Sequence, residues 1–239
     1  KKLKYKAELE YSFNDKKYHS LEFPVHSIKV SHSYDVDQIG QRYMFTNADN
    51  VFLTLKRQRN DRMTYLRSSN LQYTLETKSG FSISGGLKFN TQEATMWLPF
   101  VDRMGKVYNS YDEAIFNVTL RYAPGEKFYQ TKNNRIPINL DAPIFALTQT
   151  YAPKGFLGSR NTINKTEFSA QKRFWFSAFG YTDIILKAGK VWSEVDYPDL
   201  LIPNANLSYT IQPESYALMN AFELANDQFV SWDLTYWAN

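Results

Sequence analysis

This chain of 239 residues carries a formal net charge of +4 and contains 17 Tyr, 17 Phe and 5 Trp but no cysteine. The aromatic content argues against a disordered or low-complexity chain, and the lack of cysteine excludes a disulfide scaffold, a thiolate metal site and a cysteine nucleophile. The charge is too small to indicate nucleic-acid binding by itself, and no run of 18 apolar residues predicts a transmembrane helix.

The first predicted element is a strand with one apolar and one polar face. Between Leu3 and Phe13 every odd position is apolar or aromatic, and every even position is Lys, Glu or Ser. Strict alternation with a period of two is typical of a β-strand that is wet on one side only. Asn14, Asp15 and Lys16 then predict a turn. The basic residues before this strand lead into no apolar stretch, so they do not resemble a signal peptide.

The same alternation recurs along the chain and predicts roughly ten strands in a single domain, residues 1–239. The clearest further examples lie at 51–56, 71–76, 81–90, 114–122, 167–177, 183–192 and 230–236, and weaker ones at 26–34 and 143–151. Long loops are predicted at 101–111, 123–141 and 193–212. Helical spacing occurs once, at 214–226 behind Pro213, and predicts a short loop helix with Leu218, Met219, Phe222 and Leu224 on one side.

Strand length favours a membrane barrel over a soluble sandwich. Several alternating runs are about 9–12 residues long, which suits a tilted strand crossing a bilayer, whereas strands of soluble sheets usually have about 5–6 residues. Aromatic residues close the apolar faces at Tyr11, Phe13, Tyr122, Trp192 and Tyr236, as in the aromatic belts of membrane interfaces. The alternative is a soluble sandwich, because aromatic residues favour strands in any case.

Longer stretches of the sequence resemble a known family. These are TLRYAPGEKFYQTKNNRIPINLDAP (119–143), TEFSAQKRFWFSAFGYTDIILKAGKVW (166–192), PESYALMNAFELANDQFVS (213–231) and GQRYMFTNADNVFL (40–53). They resemble the barrel of a Bacteroidota outer-membrane family of unknown function, whose members usually carry a carboxypeptidase-regulatory-like domain ahead of the barrel. The resemblance implies that this chain is the middle portion of a longer barrel, which continues at both ends.

That family is in turn distantly similar to the BamA-like surface-antigen superfamily of outer-membrane insertases. The superfamily has Arg-Gly-Phe/Tyr on a loop folded into the lumen, and Lys154-Gly155-Phe156 occupies that place here. It also has a strand reading Asp-x-Gly-x-Val-Trp, which corresponds to Lys187, Gly189 and Trp192. The resemblance implies that Lys154–Ser159 folds towards the lumen near Gly189.

The loop and strand motifs of this chain differ from those of the superfamily in charge. The superfamily can pair the loop arginine with the strand aspartate, whereas Lys154 and Lys187 repel each other if they are close. A preserved contact therefore requires an acid within about 4 Å of one lysine, and Glu167 and Asp183 are candidates.

The remaining polar residues predict no catalytic site, metal site or cofactor. Ser31, His32 and Ser33 suggest a serine hydrolase at first, but in a strand His32 points to one face and both serines to the other. His26 and His32 are six residues apart, about 20 Å along a strand, which is too far for one metal ion. We therefore expect no enzymatic activity.

Cations on the polar faces could bias a pore towards anions. The alternative is a solvated face on which acids balance them. The cations are Lys2, Lys4, Lys6, Lys56, Lys88, Arg121, Arg173 and Lys187, and the acids are Glu8, Glu10, Glu76, Glu167 and Asp183.

We therefore expect an all-β fold, an antiparallel transmembrane β-barrel of which this chain is an incomplete segment. The resemblance implies the outer membrane of a Gram-negative cell, with outer-membrane lipid and periplasmic or envelope proteins as partners and no nucleic acid. It implies a BamA-like role in protein insertion, translocation or envelope assembly. The alternatives are an outer-membrane channel for small solutes and a soluble secreted β-sandwich that binds glycans. Detergent dependence and conductance discriminate between them.

Overall fold

The computed structural model describes residues 3–38, 63–101, 105–210 and 214–238. The described residues form β-strands and three short 3-10 helices, with no α-helix among them. The strands are β1 (Tyr5–Ser12), β2 (His26–Gln38), β3 (Met63–Glu76), β4 (Phe81–Glu93), β5 (Phe100–Val101), β6 (Val107–Tyr108), β7 (Ser110–Tyr122), β8 (Phe128–Gln130), β9 (Arg135–Pro137), β10 (Ile144–Ala152), β11 (Ile163–Trp175), β12 (Tyr181–Val191) and β13 (Gln228–Trp237). The 3-10 helices are Phe156–Gly158, Ser177–Phe179 and Tyr197–Asp199.

Nine of these strands form one antiparallel sheet in the order β1-β2-β3-β4-β7-β10-β11-β12-β13. The predicted all-β antiparallel fold is therefore confirmed. β1 and β13 are the edge strands, and no closed barrel is formed within the described parts of the chain. The predicted strand at 51–56 and the family phrase at 40–53 lie outside the described residues.

Successive strands of the sheet are joined at alternate ends. The first end carries the connections 13–25, 77–80, 123–143 and 176–180, and the second end carries 94–109, 153–162 and 192–227. Two connections at the first end are tight turns, whereas the three named at the second end are long; the β2–β3 connection lies outside the described residues. Two predicted loops contain short hairpins, β5–β6 at the second end and β8–β9 at the first.

The predicted loop helix at 214–226 is wrong. The described residues of this stretch form turns and two isolated bridges, at Tyr216 and Asn226, instead of a helix. Glu214 and Phe222 have φ angles of 62° and 65°, which belong to the left-handed region and cannot continue a right-handed helix. Of the apolar side chains that suggested a helix, Met219 and Leu224 line a cavity over the sheet, whereas Leu218 is 93% exposed.

The strand register separates apolar and polar side chains onto two faces of the nine-stranded sheet. Residues directly opposite each other on neighbouring strands point to the same face. One such row runs Leu9–Val30–Leu71–Leu87–Phe116, from β1 to β7. Another row runs Trp232–Leu186–Ala170–Phe145–Tyr122, from β13 back to β7. The alternation in the sequence therefore produces one continuous apolar face.

The polar face is the more buried of the two, which inverts the usual order. Leu9 and Trp232 on the apolar face are 79% and 83% exposed, whereas Gln92 and Ser169 on the polar face are 4% and 1% exposed. Side chains crowd together on the concave side of a curved sheet and diverge on its convex side. The burial pattern therefore indicates that the polar face is concave.

Hydrogen bonds between neighbouring strands satisfy much of this concave polar face. Thr64 Oγ1 donates to Gln92 Oε1 at 2.8 Å, and Ser68 Oγ donates to Asn90 Oδ1 at 2.7 Å. Further along the sheet, Lys29 Nζ lies 2.8 Å from Glu8 Oε1. Such pairing is what allows polar side chains to be buried at modest cost.

The apolar face is a slanted band. The row through Leu9 crosses β7 at Phe116, and the row through Trp232 crosses it at Tyr122, six residues later. Six residues correspond to about 20 Å along a strand, and eight strand spacings to about 38 Å. The band between the two edge strands is therefore inclined by about 30° to the hydrogen-bonding direction.

Aromatic residues follow both borders of this band. Towards the first end they are Phe13, Phe81, Tyr122, Phe145, Phe174 and Tyr236. Towards the second end they are Tyr5, Tyr34, Tyr65, Phe116, Tyr151 and Trp192. The rows are about 20 Å apart along β7 and β10, and about 26 Å apart along β1.

Adjacent glycines in β4 provide a test of the two faces. A Cβ atom at Gly86, on the polar face, would lie 2.9 Å from the Leu71 carbonyl oxygen, whereas a Cβ atom at Gly85, on the apolar face, would meet nothing within 4 Å. We expect Gly86→Ala to lower the free energy of unfolding by about 1–3 kcal/mol. Gly85→Ala should leave it unchanged or raise it by up to about 1 kcal/mol. Urea unfolding followed by tryptophan fluorescence measures both, and equal effects would contradict the assignment of faces.

Candidate functional site on the polar face

A long segment, residues 193–227, covers the polar face of β11, β12 and β13. Its described residues reach the sheet at several points. Leu201 N donates to Asn226 O at 2.9 Å, which ties the two arms of the segment together, and Val191 N donates to Asp227 O at 2.7 Å. A Cβ atom at Gly189 would lie 3.1 Å from Leu201 Cδ1. The segment therefore packs directly on the sheet, with Gly189 providing the room.

The central contact is a buried ion pair between Lys187 of β12 and Glu214 of the covering segment. The Glu214 side chain is fully buried, and that of Lys187 is 16% exposed. The Glu214 backbone N–H donates to Asp233 Oδ2 of β13 at 3.3 Å, and its carbonyl accepts from Asn204 Nδ2 at 3.3 Å. A carboxylate buried this deeply requires a charged or hydrogen-bonding partner, which Lys187 supplies.

Other charges on the polar face are paired in the same way. Arg173 Nε donates to Asp183 Oδ1 at 2.6 Å, and Arg121 Nη2 lies 2.7 Å from Glu126 Oε2. Lys165 Nζ lies 3.3 Å from Glu167 Oε2. The structure therefore favours the balanced face over a surplus of free cations at these positions. The two acids that the sequence offered as partners for Lys187, Glu167 and Asp183, are both used by other cations.

A cavity of about 790 Å³ lies between the sheet and the covering segment. The sheet contributes Lys165, Ile185 and Asp233 to its wall, and the segment contributes Glu214 and Met219, so both walls carry polar and apolar groups. Its volume lies in the range of small-molecule sites. The covering segment thus occupies the concave side without filling it.

The loop motif does not fold onto the polar face, so this prediction is wrong for Lys154, Gly155 and Phe156. The Phe156 ring lies 5.5 Å from the ring of Phe116, which belongs to the apolar face, and Phe156 is 40% exposed. The segment is held to β7 through Arg160 N, which donates to Asp112 O at 3.2 Å. A phenylalanine ring is stabilised more by an apolar partner at the rim than by the polar face.

The strand motif fares differently. Lys187 and Gly189 lie on the polar face, but the segment that meets them is 193–227 instead of Lys154–Ser159, and the acid that pairs with Lys187 is Glu214. Trp192 lies on the apolar side, where its Nε1 donates to Thr166 Oγ1 at 3.0 Å. The sequence alone does not single out Glu214 as the partner of Lys187. The stretch 213–231 contains three acids, Glu214, Glu223 and Asp227, and has helical spacing at 214–226.

His32 and His26 form hydrogen bonds with hydroxyl groups of neighbouring strands and do not belong to a group of metal ligands in the described parts of the chain. His32 Nδ1 lies 2.8 Å from Ser69 Oγ, and His32 Nε2 lies 3.1 Å from Tyr5 Oη. The neighbouring serines Ser31 and Ser33 point to the opposite face. No group of three potential metal ligands occurs among the described residues. No helix in these parts of the chain is long and apolar enough to cross a membrane.

Breaking the central ion pair tests how the covering segment is held. Lys187→Met leaves the buried Glu214 carboxylate without its cation, and we expect the free energy of unfolding to fall by about 3–5 kcal/mol. The double variant Lys187→Met/Glu214→Gln should recover part of this loss because the buried charge has gone. Lys190→Met, on the exposed face of the same strand, should change stability by less than about 0.5 kcal/mol. Urea unfolding and protease cleavage within 193–227 measure these effects, and strictly additive single changes would argue against the pair.

Comparison with known proteins gives one family match. The model of a family of unknown function, the DUF5686 C-terminal domain, matches residues 99–236, more than half of the 239 residues. No curated protein and no solved structure shows significant similarity to the chain. The matched region begins just before β5 and ends within β13, so it includes β7, β10 to β13 and the covering segment. The chain therefore belongs to the DUF5686 family, and most of it is that family's C-terminal domain.

Proposed function

We propose that this chain forms part of the wall of an outer-membrane β-barrel, with the apolar face towards lipid and the polar face towards the interior. The inverted burial of the two faces carries the proposal. A soluble sheet buries its apolar face in a core, whereas here Leu9 and Trp232 are exposed and Gln92 and Ser169 are buried. In a bilayer this arrangement is favourable, because lipid solvates the apolar side chains and the interior solvates the polar ones.

The slant and the borders of the apolar band support the same proposal. Strands of membrane barrels are tilted by about 35–45°, so a level membrane layer crosses them obliquely, as the band does here. Aromatic rows flank the apolar band of such barrels at both interfaces, and the band is about 25 Å tall. The distances between the two aromatic rows are comparable with that height.

Within the outer membrane, a BamA-like role in protein insertion, translocation or envelope assembly fits the covered interior best. The described residues of 193–227 cover the concave side of β11 to β13 and are held there through Lys187 and Glu214, which leaves less room for an open conduit along this part of the wall. The resemblance of the strand motif to the superfamily supports this role, whereas the position of Phe156 on the apolar side weighs against the superfamily's loop contact.

A solute channel is the second candidate, and the cavity of about 790 Å³ favours it. In that case the covering segment is a removable constriction, and weakening the Lys187–Glu214 contact opens the pore. Planar-bilayer conductance of the full-length protein separates the two roles. Low conductance in both wild type and Lys187→Met supports the assembly role. A large rise in the variant supports the channel.

Arginine substitutions on the two faces test the membrane orientation. Leu120→Arg places a charge on the apolar face of β7, between the aromatic borders, and should cost about 2–4 kcal/mol in a lipid-vesicle folding assay. Thr119→Arg, one residue earlier on the polar face, should cost less than about 1 kcal/mol. Leu234→Arg and Thr235→Arg form a second matched pair in β13. Equal costs on both faces, or folding that needs neither lipid nor detergent, would refute the proposed orientation.

Assembly activity has a direct measurement. Vesicles that contain the full-length protein should accelerate the folding of an unfolded outer-membrane barrel over protein-free vesicles. Vesicles that contain the folding-competent Thr119→Arg variant should accelerate folding as much as wild type does. This comparison shows whether a substitution that preserves insertion also preserves assembly activity. No acceleration together with low conductance would oppose both roles and leave only a structural one.

A further inference from the structure

A compact polar patch interrupts the apolar face at its border near the second end of the sheet. The register places Gln149, Thr166 and Lys190 in one row across β10, β11 and β12. Asn164 lies two residues before Thr166 on the same face of β11, and Trp192 follows the end of β12. These five residues are called the rim patch below.

The side chains of the rim patch form a directed chain of hydrogen bonds. Trp192 Nε1 donates to Thr166 Oγ1 at 3.0 Å, and Thr166 Oγ1 donates to Gln149 Oε1 at 2.6 Å. Gln149 Nε2 then donates to Asn164 Oδ1 at 2.7 Å. Each of these acceptors is therefore used by a neighbour. The donors that remain to bind a ligand are the Asn164 amide N–H groups and the Lys190 ammonium.

Lys190 carries a charge that its surroundings do not neutralise. Its Nζ lies 4.4 Å from the centre of the Trp192 ring, and no carboxylate among the described residues lies within ion-pair distance of it. Between the two aromatic borders, the described apolar face contains no acidic side chain at all. Lys172, near the opposite border, lies 5.3 Å from the centre of the Phe174 ring, and its Nζ donates to the backbone carbonyl of Asp141 at 3.3 Å.

We propose that the rim patch binds the anionic phosphate of a membrane-lipid headgroup, an inference that rests on the proposed membrane orientation. A phosphate offers several anionic acceptor oxygens, which complement the free donors and the positive charge of the patch. The patch lies beside Tyr151 and Trp192, at the level where the aromatic border places lipid headgroups. A cation above an aromatic ring, flanked by lipid chains on the apolar band, suits a lipid better than a soluble anion.

Phosphatidic acid is a suitable probe because its headgroup is a bare phosphate monoester. Its binding to the full-length protein in zwitterionic detergent micelles can be counted by native mass spectrometry. One lysine near a membrane surface is worth about 1 kcal/mol with anionic lipid, so Lys190→Gln should weaken binding about fivefold. Lys190→Arg should restore it, because guanidinium also pairs with phosphate. Lys172→Gln, at the other border beside Ile184 and Phe174 and without a polar patch, is the matched control and should weaken binding less than Lys190→Gln.

The outcomes separate this inference from the proposed function. Equal lipid binding by wild type and Lys190→Gln would overturn the rim patch, provided that both still insert into vesicles. Inorganic phosphate that competes at the same concentration as phosphatidic acid would also overturn it, because an ion site would then suffice. A wild-type protein that fails to insert would instead refute the membrane orientation itself. Loss of binding in Lys190→Gln with normal insertion and rescue by arginine would support the lipid site.

Discussion

Continuous strand register is the constraint on which the rest of this structure depends. A strand side chain changes face with every residue, so a slip of one position in any strand would exchange its apolar and polar faces. Across nine strands no such exchange occurs, and the rows through Leu9 and Trp232 remain on one side. The apolar band, its two aromatic borders and the buried polar face all follow from this single agreement among neighbouring strands.

The covering segment supplies a negative charge that the polar face of β12 needs. A concave face rich in Lys, Glu, Asp and Arg must satisfy its charges locally, and most of β11 to β13 does so through pairs such as Arg173 with Asp183. Lys187 has its acid supplied from outside the sheet, by Glu214 at the buried tip of residues 193–227. The positive charge of Lys187 on β12 therefore stabilises the covering segment over this part of the sheet. The cavity of about 790 Å³ is the space between the two that side chains do not fill.

The strands and their faces could be predicted from the sequence because alternation is a local property of successive residues. At Gly189 the sequence predicts that a neighbouring group can approach closely, but not which group does so. A missing side chain indicates room for something, and Leu201 and Phe229 now take that room, but the sequence does not specify the occupant. Residues 214–226 show the limit most clearly. Their apolar spacing suits a helix, whereas packing against the sheet imposes turns and positive φ angles at Glu214 and Phe222. Contacts with residues distant in sequence, such as that of Glu214 N with Asp233 Oδ2, accompany this conformation, and local spacing alone does not predict them.

The unequal connections at the two ends of the sheet have a consequence for the order of folding. The β3–β4 and β11–β12 pairs close over turns at 77–80 and 176–180, whereas β13 joins β12 only after the long stretch 192–227 has looped back. Loop-closure entropy grows with the logarithm of loop length, so that closure costs about 2 kcal/mol more than either turn. We therefore expect these two hairpins to form before β13 pairs with β12. Because residues 193–227 end where β13 begins, that pairing would also close the covering segment over the polar face.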